Sequence, residues 1–205
     1  MNLAVVLTTV LLIVPVELPD KTFIATLVLA TRYPPLMVWL GVGAAFGIQT
    51  VIAVTAGGLL AQLPRTPVVV GAGLMFLAGA VVLWRSSSTA DQEEAETEEE
   101  FEHKVYGPAV GLRAAAASFA VLFVAEWGDL SQLLTAGLVV RFDDPLAVFV
   151  GAWAALPLVS GLGAALGRAL LKRLRLGTIQ RVGAAVCLLM AVVTALELAG
   201  MSLPA

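Results

Sequence analysis

Two short polar stretches interrupt long apolar runs of this sequence, and the two stretches match. The first motif is Glu17-Leu18-Pro19-Asp20-Lys21-Thr22, and the second motif is Glu126-Trp127-Gly128-Asp129-Leu130-Ser131. In each, Glu is followed three residues later by Asp and then, after one more residue, by a hydroxyl side chain. An ionised carboxylate inside a bilayer is costly, so each of these acids is a candidate functional group.

The four acids of the motifs predict one site for a divalent cation. A spacing of three residues places the Glu and the Asp of each motif on one helical face. Pro19 and Gly128, which stand beside the acids, are expected to loosen the helix and free backbone carbonyls. If the halves of the chain face each other, the carboxylates form a cage of hard oxygen ligands suited to Mn²⁺, Ca²⁺ or Mg²⁺. The predicted metal ligands are Glu17, Asp20, Glu126 and Asp129.

Further polar residues are predicted to support this site. The neutral oxygens of Thr22, Ser131 and Gln132 are candidate additional ligands. Lys21 is predicted to pair with a carboxylate when the metal is absent, which lowers the cost of the empty site. Gln49 lies in the next apolar run, where it is either a further supporting group or only an interhelical hydrogen-bond donor.

The composition shows what must position these residues. Of 205 residues, 60% are hydrophobic and 13% are charged, against roughly 25% charged residues in an ordinary soluble domain. This excludes a soluble enzyme. There is no basic stretch with interleaved aromatic residues, so no nucleic-acid partner is expected. The single cysteine, Cys187, lies in an apolar run and is interpreted as a packed thiol.

The apolar runs predict an all-α integral membrane protein with six transmembrane helices, since each run is long enough to cross the hydrocarbon core. Three spans per half is an odd number, so the second half enters the membrane from the opposite side. This gives two inverted three-helix repeats, an arrangement that supports alternating access in transporters.

The boundaries follow from the apolar runs and the acidic segment between them. The predicted units are a first repeat over 1–84, an acidic flexible linker over 85–108 and a second repeat over 109–205. The predicted spans are about 3–29, 36–61, 67–84, 110–140, 146–170 and 179–200.

The distribution of basic residues predicts the orientation. Most Lys and Arg residues fall on the side of the acidic linker, whereas Arg65 and Arg141 fall on the opposite side. The linker is therefore expected to be cytoplasmic and both termini to face outward. The short chain without a targeting extension favours a prokaryotic plasma membrane over an organelle.

At the two motifs, and across the six spans and the acidic linker, the chain resembles the Gdt1/TMEM165 family of small membrane cation transporters, also called uncharacterised protein family 0016. The signature of that family is Glu-x-Gly-Asp-(Lys/Arg)-(Thr/Ser), present twice. Here Pro19 replaces the usual Gly of the first copy, and Leu130 replaces the usual basic residue of the second. The resemblance implies a secondary transporter that exports Mn²⁺ and/or Ca²⁺ from the cytoplasm in exchange for protons. The cation is then the transported substrate, and no prosthetic group is expected.

Other functions remain compatible with the residues. A LysE-like exporter of an amino acid or another small solute would use the carboxylates for proton coupling. A metal-dependent intramembrane hydrolase would use paired carboxylates with a bound metal, although a single catalytic centre needs distinct acid and base environments rather than a duplicated pair. A scaffold without transport activity would use the acids only for interhelical contacts.

Overall fold

The computed structural model of the protein describes residues 1–18, 21–104, 109–171 and 176–199. Every regular element in these ranges is an α-helix, which confirms the all-α prediction for this part of the chain. In chain order the helices are α1 (Leu3–Glu17), α2 (Lys21–Arg32), α3 (Pro35–Leu60), α4 (Arg65–Ser86), α5 (Ala90–Lys104), α6 (Leu112–Ala125), α7 (Leu130–Phe142), α8 (Pro145–Leu171) and α9 (Leu176–Leu198).

Four helices are long and apolar enough to cross a membrane by themselves. They lie within α3, α4, α8 and α9. The pair α1 and α2 passes the same test only together and is bent by 72°, and the pair α6 and α7 is bent by 73°. The described part of the chain therefore has four candidate spans, or six if each bent pair is one span.

The two longest helices, α3 and α8, form the centre of the bundle. Helix α3 packs against α6, α7 and α8, and α8 packs in addition against α1 and α2. The indole Nε1 of Trp39 donates to the Pro157 carbonyl at 2.8 Å, and that of Trp153 donates to the Gly43 carbonyl at 3.3 Å. Because an earlier position on α3 meets a later one on α8, the two helices run antiparallel.

Close backbone contacts occur at matching glycines on α3 and α8. A methyl group added to Gly41 would overlap the Ala115 carbonyl on α6. One added to Gly151 would lie 2.7 Å from the Val6 carbonyl oxygen and from Cβ of Thr9 on α1. Small residues of this kind let membrane helices approach at backbone distance. Helix α6, which precedes the second motif, is thus packed closely against α3, and helix α1, which ends in the first motif, is packed closely against α8.

The outer surface of the bundle is apolar. On α1, Leu3, Leu7 and Leu11 are each more than half exposed and follow one another at four-residue intervals. The opposite face of α1 carries Val5, Thr9 and other residues that are buried in the bundle. An apolar face turned outward is suited to lipid, because hydrocarbon does not penalise exposed aliphatic side chains.

The acidic segment that composition predicts as a flexible linker contains helix α5. Phe101 on this helix is only 1% exposed and belongs to the main hydrophobic core, and Thr97, one turn earlier, is also buried. Helix α5 packs against α2 and α9. The physical reason is that Phe101 supplies an apolar anchor on one face of an otherwise acidic helix. The division of the chain into 1–84, 85–108 and 109–205 stays a prediction.

Candidate functional site

The first motif lies at the break between α1 and α2. Glu17 is the last residue of α1, and its side chain is 0% exposed. Both of its carboxylate oxygens, and Oγ1 of Thr22, are buried without a hydrogen-bond partner in the described part of the chain. Pro19 and the predicted ligand Asp20 lie outside the described residues, as does the side chain of Lys21.

The second motif is a turn between α6 and α7. Glu126 follows the last residue of α6, and its backbone N–H donates to the Leu122 carbonyl. Gly128 has a φ of +79°, in the left-handed region that favours glycine. Asp129 is the N-cap of α7, where its carboxylate accepts the Ser131 backbone N–H at 3.2 Å.

This geometry corrects one prediction. Glu126 and Asp129 do not lie on one face of a continuous helix, because the chain turns between them at Gly128. Glu126 ends one helix and Asp129 begins the next. Their carboxylates are positioned by the turn rather than by the helical repeat.

The fold brings Glu17 of the first motif near Glu126 and Asp129 of the second. Helix α1 contacts α7, and the negative charges of Glu126 and Asp129 both act on Glu17. The hydroxyls of Thr22 and Ser131 also face the Glu17 carboxylate. Glu126 is buried like Glu17, with 3% exposure. The described residues contain no group of three His, Cys, Asp or Glu side chains close enough to hold a metal ion, so the four-carboxylate cage stays a prediction.

The two predicted glutamines contact the backbone around the second motif. Nε2 of Gln132 donates to the Glu126 carbonyl at 2.6 Å, and its Oε1 accepts the Gly128 N–H at 3.3 Å. Nε2 of Gln49 donates to the Phe123 carbonyl at 3.1 Å. Gln49 thus makes the interhelical hydrogen bond that was one of its two sequence interpretations.

Sequence reasoning missed a second pair of matching hydroxyls one turn beyond the motifs. Thr26 donates to the Thr22 carbonyl and Thr135 donates to the Ser131 carbonyl, each at 2.7 Å. Both side chains are buried. The repeated four-residue spacing after the motif hydroxyl was the available signal.

A crevice beside the second motif leads along these groups. It is partly open, lies between α3, α7 and α8, and has about 10 Å³ accessible to water, roughly the room for one water molecule. Its polar lining residues are Gln49, Thr50, Ser131, Gln132 and Thr135. Thr50, another residue that sequence reasoning missed, is 2% exposed and donates to the Phe46 carbonyl.

Comparisons with known proteins agree with the motifs. The family described as "Divalent cation/proton antiporter GDT1" matches residues 5–91 and 114–202. GDT1-like protein sll0615 of Synechocystis sp. is 37% identical over 136 residues, covering 62% of this chain and 66% of the relative. Protein PAM71, chloroplastic, of Arabidopsis thaliana is 31% identical over 206 residues, covering 89% of this chain and 54% of the relative. GDT1-like protein 4 of Oryza sativa subsp. indica is 28% identical over 184 residues.

The chain spans just under two thirds of the Synechocystis relative and about half of PAM71. No solved structure gave a significant match. The family match covers both motif-bearing halves, and the apolar helices are those of an integral membrane protein. The chain belongs to the GDT1 family of divalent cation/proton antiporters.

Proposed function

We propose that this protein is a secondary transporter that exchanges a divalent cation for protons by alternating access and exports the cation from the cytoplasm. Mn²⁺ is the first candidate cation and Ca²⁺ the second. The cation is cargo rather than a resident cofactor, and no prosthetic group takes part.

The observation that carries this proposal is the buried Glu17 carboxylate. Its two oxygens have no hydrogen-bond partner among the described residues, and the charges of Glu126 and Asp129 act on it. An ionised carboxylate in such surroundings is strongly disfavoured unless a cation or a proton neutralises it. A cation and protons therefore compete for the same oxygens, which is the chemical requirement for antiport. In this proposal Glu17, Asp20, Glu126 and Asp129 bind the cation.

Two matched sets of contacts support six spans arranged as two inverted three-helix repeats. Gly41 lies against α6 as its counterpart Gly151 lies against α1. The long helices α3 and α8 run antiparallel, as helices of inverted repeats must. In the proposed arrangement each bent pair is one broken span, with its break at the binding site, as in transporters that bind ions at discontinuous helices.

Contacts at the two ends of the bundle support the proposed orientation. The Asn2 N–H donates to Oδ2 of Asp144 at 2.9 Å, which groups the N-terminus with the α7–α8 connection. Nε of Arg181 donates to Oγ of Ser87 at 3.4 Å, which groups the start of α9 with the segment that follows α4. In the sequence, most Lys and Arg residues fall next to the connections of the second group, so that end is assigned to the cytoplasm and the termini to the outside.

Transport in liposomes tests the proposal. Purified protein is reconstituted with an internal metal-sensitive dye and an internal pH dye, and Mn²⁺ or Ca²⁺ is added with and without an imposed pH gradient. We expect metal uptake coupled to opposite proton movement, and its loss in Glu126→Gln. Glu99→Gln, which makes the same chemical change at an exposed position on α5, is the matched control and retains transport.

Size-exclusion chromatography shows whether each variant is folded. Folded wild-type protein that moves neither ion under any gradient would overturn the proposal and favour a small organic solute. Full transport by folded Glu126→Gln would contradict the proposed site.

A further inference from the structure

The geometry points to Gln132 and Gln49 as positioning residues that hold the backbone on both sides of Glu126, and through it set the preference of the site for Mn²⁺ over Ca²⁺. Neither side chain is required as a ligand in this role. The inference rests on the proposed function, because it concerns how the same site is held in shape.

Helix α6 ends inside the bundle, so its last carbonyls need donors from elsewhere. In a continuous helix the Phe123 carbonyl would accept the N–H of Trp127, four residues on. The chain turns before that bond can be part of a helix, and Nε2 of Gln49 donates to this carbonyl at 3.1 Å. Gln49 is 3% exposed and comes from α3, so it ties the end of α6 to the central helix.

Gln132 spans the turn itself from the first turn of α7. Its Nε2 donates to the Glu126 carbonyl at 2.6 Å, and its Oε1 accepts the Gly128 N–H at 3.3 Å. The backbone bond between the Asp129 N–H and the same Glu126 carbonyl is longer, at 3.4 Å. One amide side chain thus satisfies a donor and an acceptor of the turn and fixes the distance between the two helix ends.

The first motif has no such pair of amides at the equivalent positions of the sequence. Phe23 follows Glu17 by six residues, as Gln132 follows Glu126. Val159 follows Gly151 by eight residues, as Gln49 follows Gly41. Phe23 and Val159 are each 0% exposed and apolar. The first motif also carries Pro19 where the second has Gly128, and proline has no N–H for an amide to accept.

A further difference appears at the end of α1. The Val14 carbonyl accepts the backbone N–H of Leu18 at 3.0 Å, which is the bond a continuing helix makes. The matching carbonyl in the second half is that of Phe123, and it accepts from Gln49. The amide pair is therefore specific to the second motif, and it replaces backbone hydrogen bonds that the turn removes.

Holding the Glu126 backbone has a consequence for ion choice. Ca²⁺ accepts a variable number of oxygens in flexible geometry. Mn²⁺ is smaller and prefers octahedral coordination, so its binding depends more on fixed ligand positions. Groups that orient a ligand from behind typically change metal affinity by about 10–100-fold when removed. Loss of the amides is expected to weaken Mn²⁺ more than Ca²⁺.

The test uses Gln132→Met and Gln49→Met, which keep side-chain length and remove the hydrogen bonds. Gln62→Met makes the same change at an exposed position between α3 and α4 and is the matched control. Uptake into liposomes is measured over a range of Mn²⁺ and, separately, Ca²⁺ concentrations. We expect each test variant to raise KM for Mn²⁺ about tenfold and KM for Ca²⁺ less, with wild-type values in Gln62→Met.

The ratio of the two KM values separates positioning from a general structural role. Fewer folded molecules would lower the maximal rate for both ions and leave both KM values unchanged, and that result would overturn the inference. Gln49→Met leaves the motif sequence intact and decides the matter if Gln132→Met does not fold. If wild-type protein transports and Glu126→Gln does not, but both glutamine variants match wild type, the inference fails while the proposed function stands.

Discussion

The two breaks in the bundle carry the same acids but are built differently. Glu17 still belongs to helix α1, whereas Glu126 has left α6 and lies in a turn. The shared features are a buried Glu, a neighbouring hydroxyl and a buried threonine one turn farther on. The features that differ are the supports behind them. The side chains that could bind an ion are therefore duplicated, while the contacts that hold them differ between the two motifs.

Leu130 is one residue at which the second motif differs from the first in its contacts with neighbouring helices. The first motif has Lys21 at this position, and the second has an apolar residue. A methyl group added to Gly79 on α4 would lie 2.8 Å from Cδ1 of Leu130 and 3.6 Å from Sγ of Cys187. Leu130 therefore packs towards α4 and α9. An ammonium group at this position would be placed against an apolar contact, which accounts for a leucine here on grounds of packing.

The largest effect is expected from Glu17→Gln. If both halves bind the same ion, this change reduces Mn²⁺ uptake to the level of protein-free liposomes, as Glu126→Gln does. Removing a buried charge that has no hydrogen-bond partner among the described residues should at the same time leave the unfolding temperature unchanged or raise it. Uptake and thermal unfolding in detergent are measured on the same preparation, with Glu99→Gln as control. Transport by Glu17→Gln with no transport by Glu126→Gln would restrict the site to the second half.

The matching glycines give an intermediate effect. Gly41→Ala and Gly151→Ala each place a methyl group against a backbone carbonyl of the opposite half, so we expect each to lower the free energy of unfolding by about 1–3 kcal/mol. Gly58→Ala is the control, because a methyl group there meets nothing within 4 Å. The unfolding temperature of each of the three variants is compared with that of the wild type. A similar loss of stability in Gly41→Ala and Gly151→Ala would support the proposed repeat, and a loss in only one of them would count against it.

Much of this architecture follows from the sequence, because polar residues inside apolar runs and long unbroken runs are local signals. The predicted span 36–61 agrees with Pro35–Leu60, and the duplicated acids Glu17 and Glu126 were identified from type and spacing. The bends could not be predicted with the same certainty. They depend on the left-handed conformation of Gly128 and on hydrogen bonds from distant side chains such as Gln49. The packing of helix α5 was missed because its buried residues, Phe101 and Thr97, stand among acidic residues that dominate the composition of the segment.

The smallest effect concerns how the long helices begin. Helix α3 starts after Pro34 without a side-chain cap, whereas the matching residue before α8, Asp144, accepts the N–H groups of Asn2 and Ala147.

These hydrogen bonds lower the pKa of Asp144, so the charged form is favoured in the fold. Its stabilising contribution is present above the ordinary Asp pKa, roughly 3.9, and is lost as pH falls through the lower folded value. Asp144→Asn should lower the unfolding temperature by about 2 °C at pH 7, with a smaller difference from wild type below about pH 4. Asp143→Asn, at the exposed neighbouring residue, is the control, and an equal loss there would show that α8 does not depend on this cap.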